Sequence, residues 1–151
     1  EGVRRGGYVL RRASSEAAGG TPAVIIIAPG SELHLAIGAA EALESEGTPA
    51  RVVSLPCWER FEAQDAGYRE SVIPVAVRAR VTVEAGVPLG WERYAGDGGA
   101  IIGIDHFGAS APASAIFEAA CFTVDRIADV ARQVHRGTLR GRVPTLDPGH
   151  G

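Results

Sequence analysis

The chain has 151 residues, a length that fits one domain and lets folding bury roughly two-thirds of the chain's surface. Apolar residues make up 46% and charged residues 22%, the balance of a soluble globular protein, and no apolar run is long enough to cross a bilayer. The net charge of −3, with acids and arginines interspersed, argues against a nucleic-acid surface, which needs clustered positive charge.

The elements follow in chain order. Gly6–Arg12 alternates enough for a strand at a sheet edge, and Ala13–Pro22 is a small-residue loop with no evident reason to pack. Ala23–Ala28 (AVIIIA) is apolar at every position and needs cover on both faces, as at the centre of a parallel sheet. Pro29-Gly30-Ser31 breaks it, and Ser31 is a good N-cap for a helix whose apolar face is Leu33, Ala36, Ile37, Ala40 and Leu43. Gly47 and Pro49 stop that helix, and Arg51–Leu55 is the next strand, completing a strand–helix–strand unit with the usual right-handed crossover.

Pro56 opens a connection holding Trp58 and Phe61, followed by a short helix over Asp65–Ile73 that ends at Pro74. Arg78–Glu84 alternates as a strand, a turn of helix surrounds Trp91, and Ala100–Ile104 is a further strand. Pro112 suits a first helical turn, with Ile116, Phe117 and Ala120 facing inward. Thr123 caps the last helix, striped by Val124, Ile127, Ala128, Ala131 and Val134 and ended by Gly137. From Thr138 onward no periodicity remains. The expected organisation is one domain over 1–137 and a flexible tail over 138–151, with helices packed around a mostly parallel sheet.

Few residues suggest chemistry. The junction Gly30-Ser31-Glu32 is the best generic site, because free N–H groups at a helix N-terminus beside a parallel strand attract anions. Gly30 and Ser31 equally suit a plain turn and cap, and Glu32 would oppose an anion there. Asp105, His106 and Ser110 could suggest a hydrolase, yet nothing resembles a GxSxG elbow, and they read better as a polar loop. His34, His106, His135 and His150 lack metal-site spacing, and Cys57 and Cys121 fit no zinc pattern and read as buried thiols. Trp58, Trp91 and Tyr94 read as core or interface anchors. A start at Glu1-Gly2-Val3 with no Met anywhere leads us to expect a domain cut from something longer. The lack of a leader segment leads us to expect the cytoplasm.

Several stretches in one order resemble a known family: RGGYVL from Arg5, GSEL from Gly30, RVVSLPCWERF through YRESVIP (Arg51–Pro74), the EAG–GW–YAG segment (Glu84–Gly96), and FGASAPA from Phe107. Each is weak alone, but their order and spacing are similar to the C-terminal domain of transketolase. Pro29 departs from that pattern, where the family usually has Thr.

The resemblance implies a three-layer α/β/α sandwich, Rossmann-like, with a five-stranded mostly parallel sheet and one antiparallel edge strand. It implies a parent enzyme of the pentose phosphate pathway, a transferase that moves a two-carbon ketol unit from ketose phosphates to aldose phosphates. Thiamine diphosphate and Mg or Ca would be held by the preceding domains of the same polypeptide, at a homodimer interface. No catalytic, cofactor-binding or metal residue of the family falls on this chain, which would itself be inactive, packing on the pyrimidine-binding domain and supporting the dimer.

Gly96-Asp97-Gly98 resembles the start of the thiamine-diphosphate metal motif. The chain has no Asn to complete it, so the triplet is expected to be a turn. The rival reading is a free-standing regulatory domain binding a small anion or nucleotide at Gly30 and Ser31. Neither reading involves nucleic acid or a membrane.

Overall fold

The computed structural model describes residues 2–30, 32–84, 90–103 and 123–143. The chain runs β1 (Tyr8–Arg11), a 3-10 helix (Ser14–Ala18), β2 (Val24–Ala28), α1 (Leu33–Ser45), β3 (Ala50–Ser54), α2 (Trp58–Glu62) and α3 (Ala66–Val72). It continues through β4 (Arg80–Glu84), α4 (Glu92–Ala95), β5 (Ala100–Gly103), α5 (Val124–Arg136) and β6 (Gly141–Val143).

The strands form one sheet in the order β1-β3-β2-β4-β5-β6. Among the described strands only β1 runs antiparallel, pairing Tyr8 with Ser54 and Val9 with Val53 at one edge. The other pairs are parallel, with Ile26 opposite both Val52 and Val81 at the centre. The α/β class and the antiparallel edge strand match the expectation. The strand number is corrected from five to six among the described residues.

β2 shows why its apolar run is unbroken. Val24, Ile26 and Ala28 join a core with α1 and α5, while Ile25 and Ile27 join a second core on the opposite face. Period-two geometry sends neighbours to opposite sides, and both sides are covered. The first core is built largely of small residues: Ala36, Ala39, Ala40, Ala128 and Ala131 lie between the helices and the sheet. Gly38 lets α1 approach α5, because a Cβ there would lie 2.7 Å from Val124 Cγ2. Arg132 fastens the pair from outside through a fork of hydrogen bonds to the Glu46 carboxylate, 2.6–3.0 Å long. Thr123 caps α5 as expected, accepting from the Arg126 N–H at 3.1 Å, and Gly137 ends it in the left-handed region.

The second core is aromatic. Trp58 meets Trp91 edge-on at 4.8 Å between ring centres and Tyr94 at 5.2 Å, the geometry favoured by ring quadrupoles. Trp91 and Tyr94 are buried and Trp58 half-buried, so these rings anchor the core. Trp58 and Phe61 stand on the short helix α2 rather than in an open connection.

Two further expectations are corrected. The Ala13–Pro22 segment packs after all: Glu16, on the 3-10 helix, forms a buried ion pair with Arg51 of β3 at 2.5 Å. Ser14 holds Glu44 of α1 through its N–H at 2.9 Å and its hydroxyl at 2.6 Å. Charge pairing, invisible to apolar periodicity, orders the segment. Residues 141–143 form β6 inside the stretch expected to be a tail. The Gly141 N–H donates to the Gly99 carbonyl at 2.8 Å, and Val143 is buried in the first core. The strand is too short, with two of three residues exposed, to leave a pattern. Residues 144–151 lie outside the described residues, as do Pro112, Ile116, Phe117 and Ala120.

Candidate functional site

The mouth of α1 lies where the sheet order reverses. β3 stands on one side of β2 and β4 on the other, and α/β sheets bind ligands in the crevice outside the carboxyl ends at such a point. β2 stops at Ala28, whose carbonyl accepts from the Leu55 N–H at 2.8 Å, and the Pro29 carbonyl accepts from the Ser54 hydroxyl at 3.3 Å. Gly30 is exposed, and a Cβ there would meet no atom within 4 Å.

The geometry weakens this mouth as an anion site. Ser31 lies outside the described residues, and the N-cap falls one residue later than expected, on Glu32. The Leu33 N–H already donates to the Gly30 carbonyl at 3.3 Å, and the Leu35 N–H to the Glu32 carbonyl at 3.1 Å. Two of the donors an anion would use are therefore engaged. Glu32 is fully buried at the same helix start, and a carboxylate there opposes a second negative charge.

The other candidates separate. Gly96-Asp97-Gly98 forms the turn between α4 and β5, with Asp97 accepting from Arg78 Nη2 at 2.6 Å. That hydrogen bond and the Arg78 charge hold the Asp97 carboxyl below its ordinary range. Asp105, His106, Phe107, Ser110, Cys121 and His150 lie outside the described residues. His34 and His135 are exposed on different helices, and Cys57 is a half-buried free thiol. Among the described residues no group of three His, Cys, Asp or Glu could hold a metal.

Reading the sequence missed one constellation. A cleft of about 360 Å³ opens between α2, α3 and α4, lined by Glu62, Arg69, Glu70, Arg80, Arg93 and Tyr94 over an apolar wall of Phe61, Ile73 and Val75. Tyr94 donates to Glu62 Oε2 at 2.9 Å, and Arg69 Nη1 reaches Glu62 Oε1 at 3.3 Å. Burial, followed by the Glu62 carboxylate, pushes the Tyr94 phenol up to about 12. Arg80 gives hydrogen bonds to the carbonyls of Val77, Tyr94 and Pro74 at 2.9–3.1 Å, and burial lowers its pKa against the opposing pull of Glu70 and Asp97. Each arginine comes from a different element, so no local spacing announced the cluster. The one available signal was the run of polar residues on α3, YRES, beside the apolar Val72 and Ile73.

Comparison with known proteins gives a consistent family likeness. A family model described as "Transketolase-like TK C-terminal domain" matches residues 6–123. The chain is 48% identical over 134 residues to "Transketolase, chloroplastic" of Solanum tuberosum, covering 89% of this chain and 18% of that protein. It is 50% identical over 132 residues to "Transketolase 1" of Escherichia coli (strain K12), covering 87% and 19% respectively. Among solved structures, transketolase from Leishmania mexicana superposes with a TM-score of 0.78 at 36% identity, covering 99% of this chain and 21% of that one. The chain thus spans about a fifth of the length of the relatives it matches.

Proposed function

The chain belongs to the transketolase-like C-terminal domain family and is the C-terminal domain of a transketolase, and from that premise we propose that it serves as a docking and stabilising module of the larger enzyme. The single observation that carries this reading is its coverage: about half of its aligned residues are identical to transketolases of which it forms only a small share. In the proposal the whole protein transfers a two-carbon ketol unit between sugar phosphates. The preceding domains hold thiamine diphosphate and a divalent cation, Mg or Ca, within a homodimer. That cofactor supplies carbanion stabilisation when bound.

The residues of this chain do not fit the role of holding it. Asp97 of the Gly96-Asp97-Gly98 turn is committed to Arg78, and no asparagine exists to complete a metal-binding pair. This domain's contribution is its doubly covered sheet, a rigid body against which neighbours can pack. The free-standing regulatory reading at Gly30 and Ser31 is not favoured, given the engaged donors and the buried Glu32 carboxylate at that mouth.

We assign the cytoplasm as the compartment. Some plant relatives are named chloroplastic, and fractionation of source cells decides between the two. No described helix is long and apolar enough to cross a membrane.

The test pairs a blot with an assay. An antibody to this domain should detect a native polypeptide several times heavier than 15.7 kDa. Ketol transfer should be absent from the 151-residue chain and present in the full polypeptide supplied with thiamine diphosphate and Mg²⁺. Turnover by the pure chain, or a native band near its own mass, would overturn the reading.

A further inference from the structure

The cleft between α2, α3 and α4 carries chemistry that a packing role leaves unused. Three arginines enter it from three elements: Arg69 from α3, Arg80 from β4 and Arg93 from α4. Glu62 and Glu70 share the space, leaving one positive charge in excess. Both carboxylates are engaged. Glu62 accepts from Tyr94 and Arg69, and Glu70 receives the Val75 N–H on both oxygens at 3.1 Å. Arg80 is fixed by three backbone carbonyls, which orient its guanidinium without neutralising it.

Arg69 supplies the second observation. Its Nε–H is buried and, among the described residues, meets no acceptor. A buried donor left without a partner is costly, and in native proteins it asks for an explanation. The Arg69 side chain as a whole is 39% exposed, so a small turn of its guanidinium brings that donor to an oxyanion seated among these arginines, whose charge would also balance the excess. Its volume of about 360 Å³ falls at the small end of ligand pockets, roughly 300–1,000 Å³, which suits a small molecule and not a protein segment. One wall is apolar, and Val75 at the rim is 73% exposed.

We propose that this cleft binds a small organic anion, its carboxylate or phosphate head received by Arg69 and Arg93 beside the fixed charge of Arg80, and its body against Ile73 and Val75. Guanidinium groups suit both heads because their paired N–H donors match two oxygens at once. The site shares no residue with the mouth of α1 and goes beyond the packing role, since neither requires the other.

The experiment titrates the 151-residue chain with inorganic phosphate and, separately, with succinate at constant ionic strength, following arginine Nε–H resonances by proton–nitrogen NMR. Saturable binding of at least one probe is expected, with the Arg69 Nε–H signal moving. Whichever probe binds more tightly identifies the head group. Arg69→Gln and Arg93→Gln should each weaken binding about tenfold. Gly30→Trp, at the α1 mouth, should leave it unchanged. If Arg69→Gln fails to fold by circular dichroism, Arg93→Gln, whose side chain is exposed, carries the comparison. The proposal is overturned if neither probe saturates, if the folded arginine variants bind as the parent does, or if Gly30→Trp alone abolishes binding. None of these outcomes bears on whether the full polypeptide transfers ketol units, so the two readings fail independently.

Discussion

Arg51 sits in β3 at 6% exposure, beside the wholly apolar β2, and a cation there must be answered by a partner. Glu16 answers it from thirty-five residues away, with Nε and Nη2 both directed at its carboxylate, while Nη1 donates to the Ser71 and Val72 carbonyls at 2.9 Å. Breaking one side of a buried pair leaves the other charge stranded, so Glu16→Ala should destabilise the fold by about 3 kcal/mol, the low end for such pairs because Arg51 keeps two acceptors. Urea unfolding measures this, and a loss under about 0.5 kcal/mol would mark the pair as a mere surface contact. Burial raises the Glu16 pKa, but the hydrogen bonds from Arg51 and the Ala13 N–H outweigh it and hold the value below the ordinary 4.5. A depressed carboxylate gives stability that is complete above its unfolded value and is lost as pH falls through the folded one. Stability should therefore fall on acidification below about 4.5 more steeply in the parent chain than in Glu16→Gln. The sequence contained a clue, an Arg within a largely apolar strand, but nothing in local spacing named its partner.

At the level of elements, what could be read followed from periodicity. β2 was legible because two covered faces demand an apolar residue at every position, and α5 because its stripe and caps agree. α1 was partly legible: Leu33 and Ile37 are half-buried, and Ala39 joins the buried face, because close helix contact favours small side chains over large ones. β6 was not legible, since one inward residue sets no period. Its two outer residues differ from its inner one in what they contribute. Arg142 is exposed and pairs with Glu92 at 2.9 Å, so Arg142→Ala should change stability by under about 0.5 kcal/mol. Val143 is 6% exposed in the first core, and Val143→Asp should cost at least about 2 kcal/mol by placing an unpaired charge there. Thermal unfolding of the two variants separates the cases; equal midpoints would mean that β6 does not pack.

For the whole molecule, family likeness identified more than composition could. Motif order pointed to the transketolase domain, and the sheet with one antiparallel edge follows that likeness. The arginine cleft escaped because its residues converge only in three dimensions, and the α1 mouth drew notice because helix N-termini announce themselves locally. Large apolar side chains exposed among the described residues are Val3, Leu10 and Val75.

The position of β6 in the chain also governs synthesis. β5 is made before Gly141–Val143, and among the described residues β6 is the strand that covers the outer backbone edge of Ile101 and Ile102. An open parallel edge flanked by isoleucines is a template for strand addition between molecules. Chains truncated before Gly141 and released should therefore associate in a chaperone-free extract, whereas chains that extend past Val143 should sediment as single particles. Equal sedimentation of the two would show that β6 is not what keeps these chains apart.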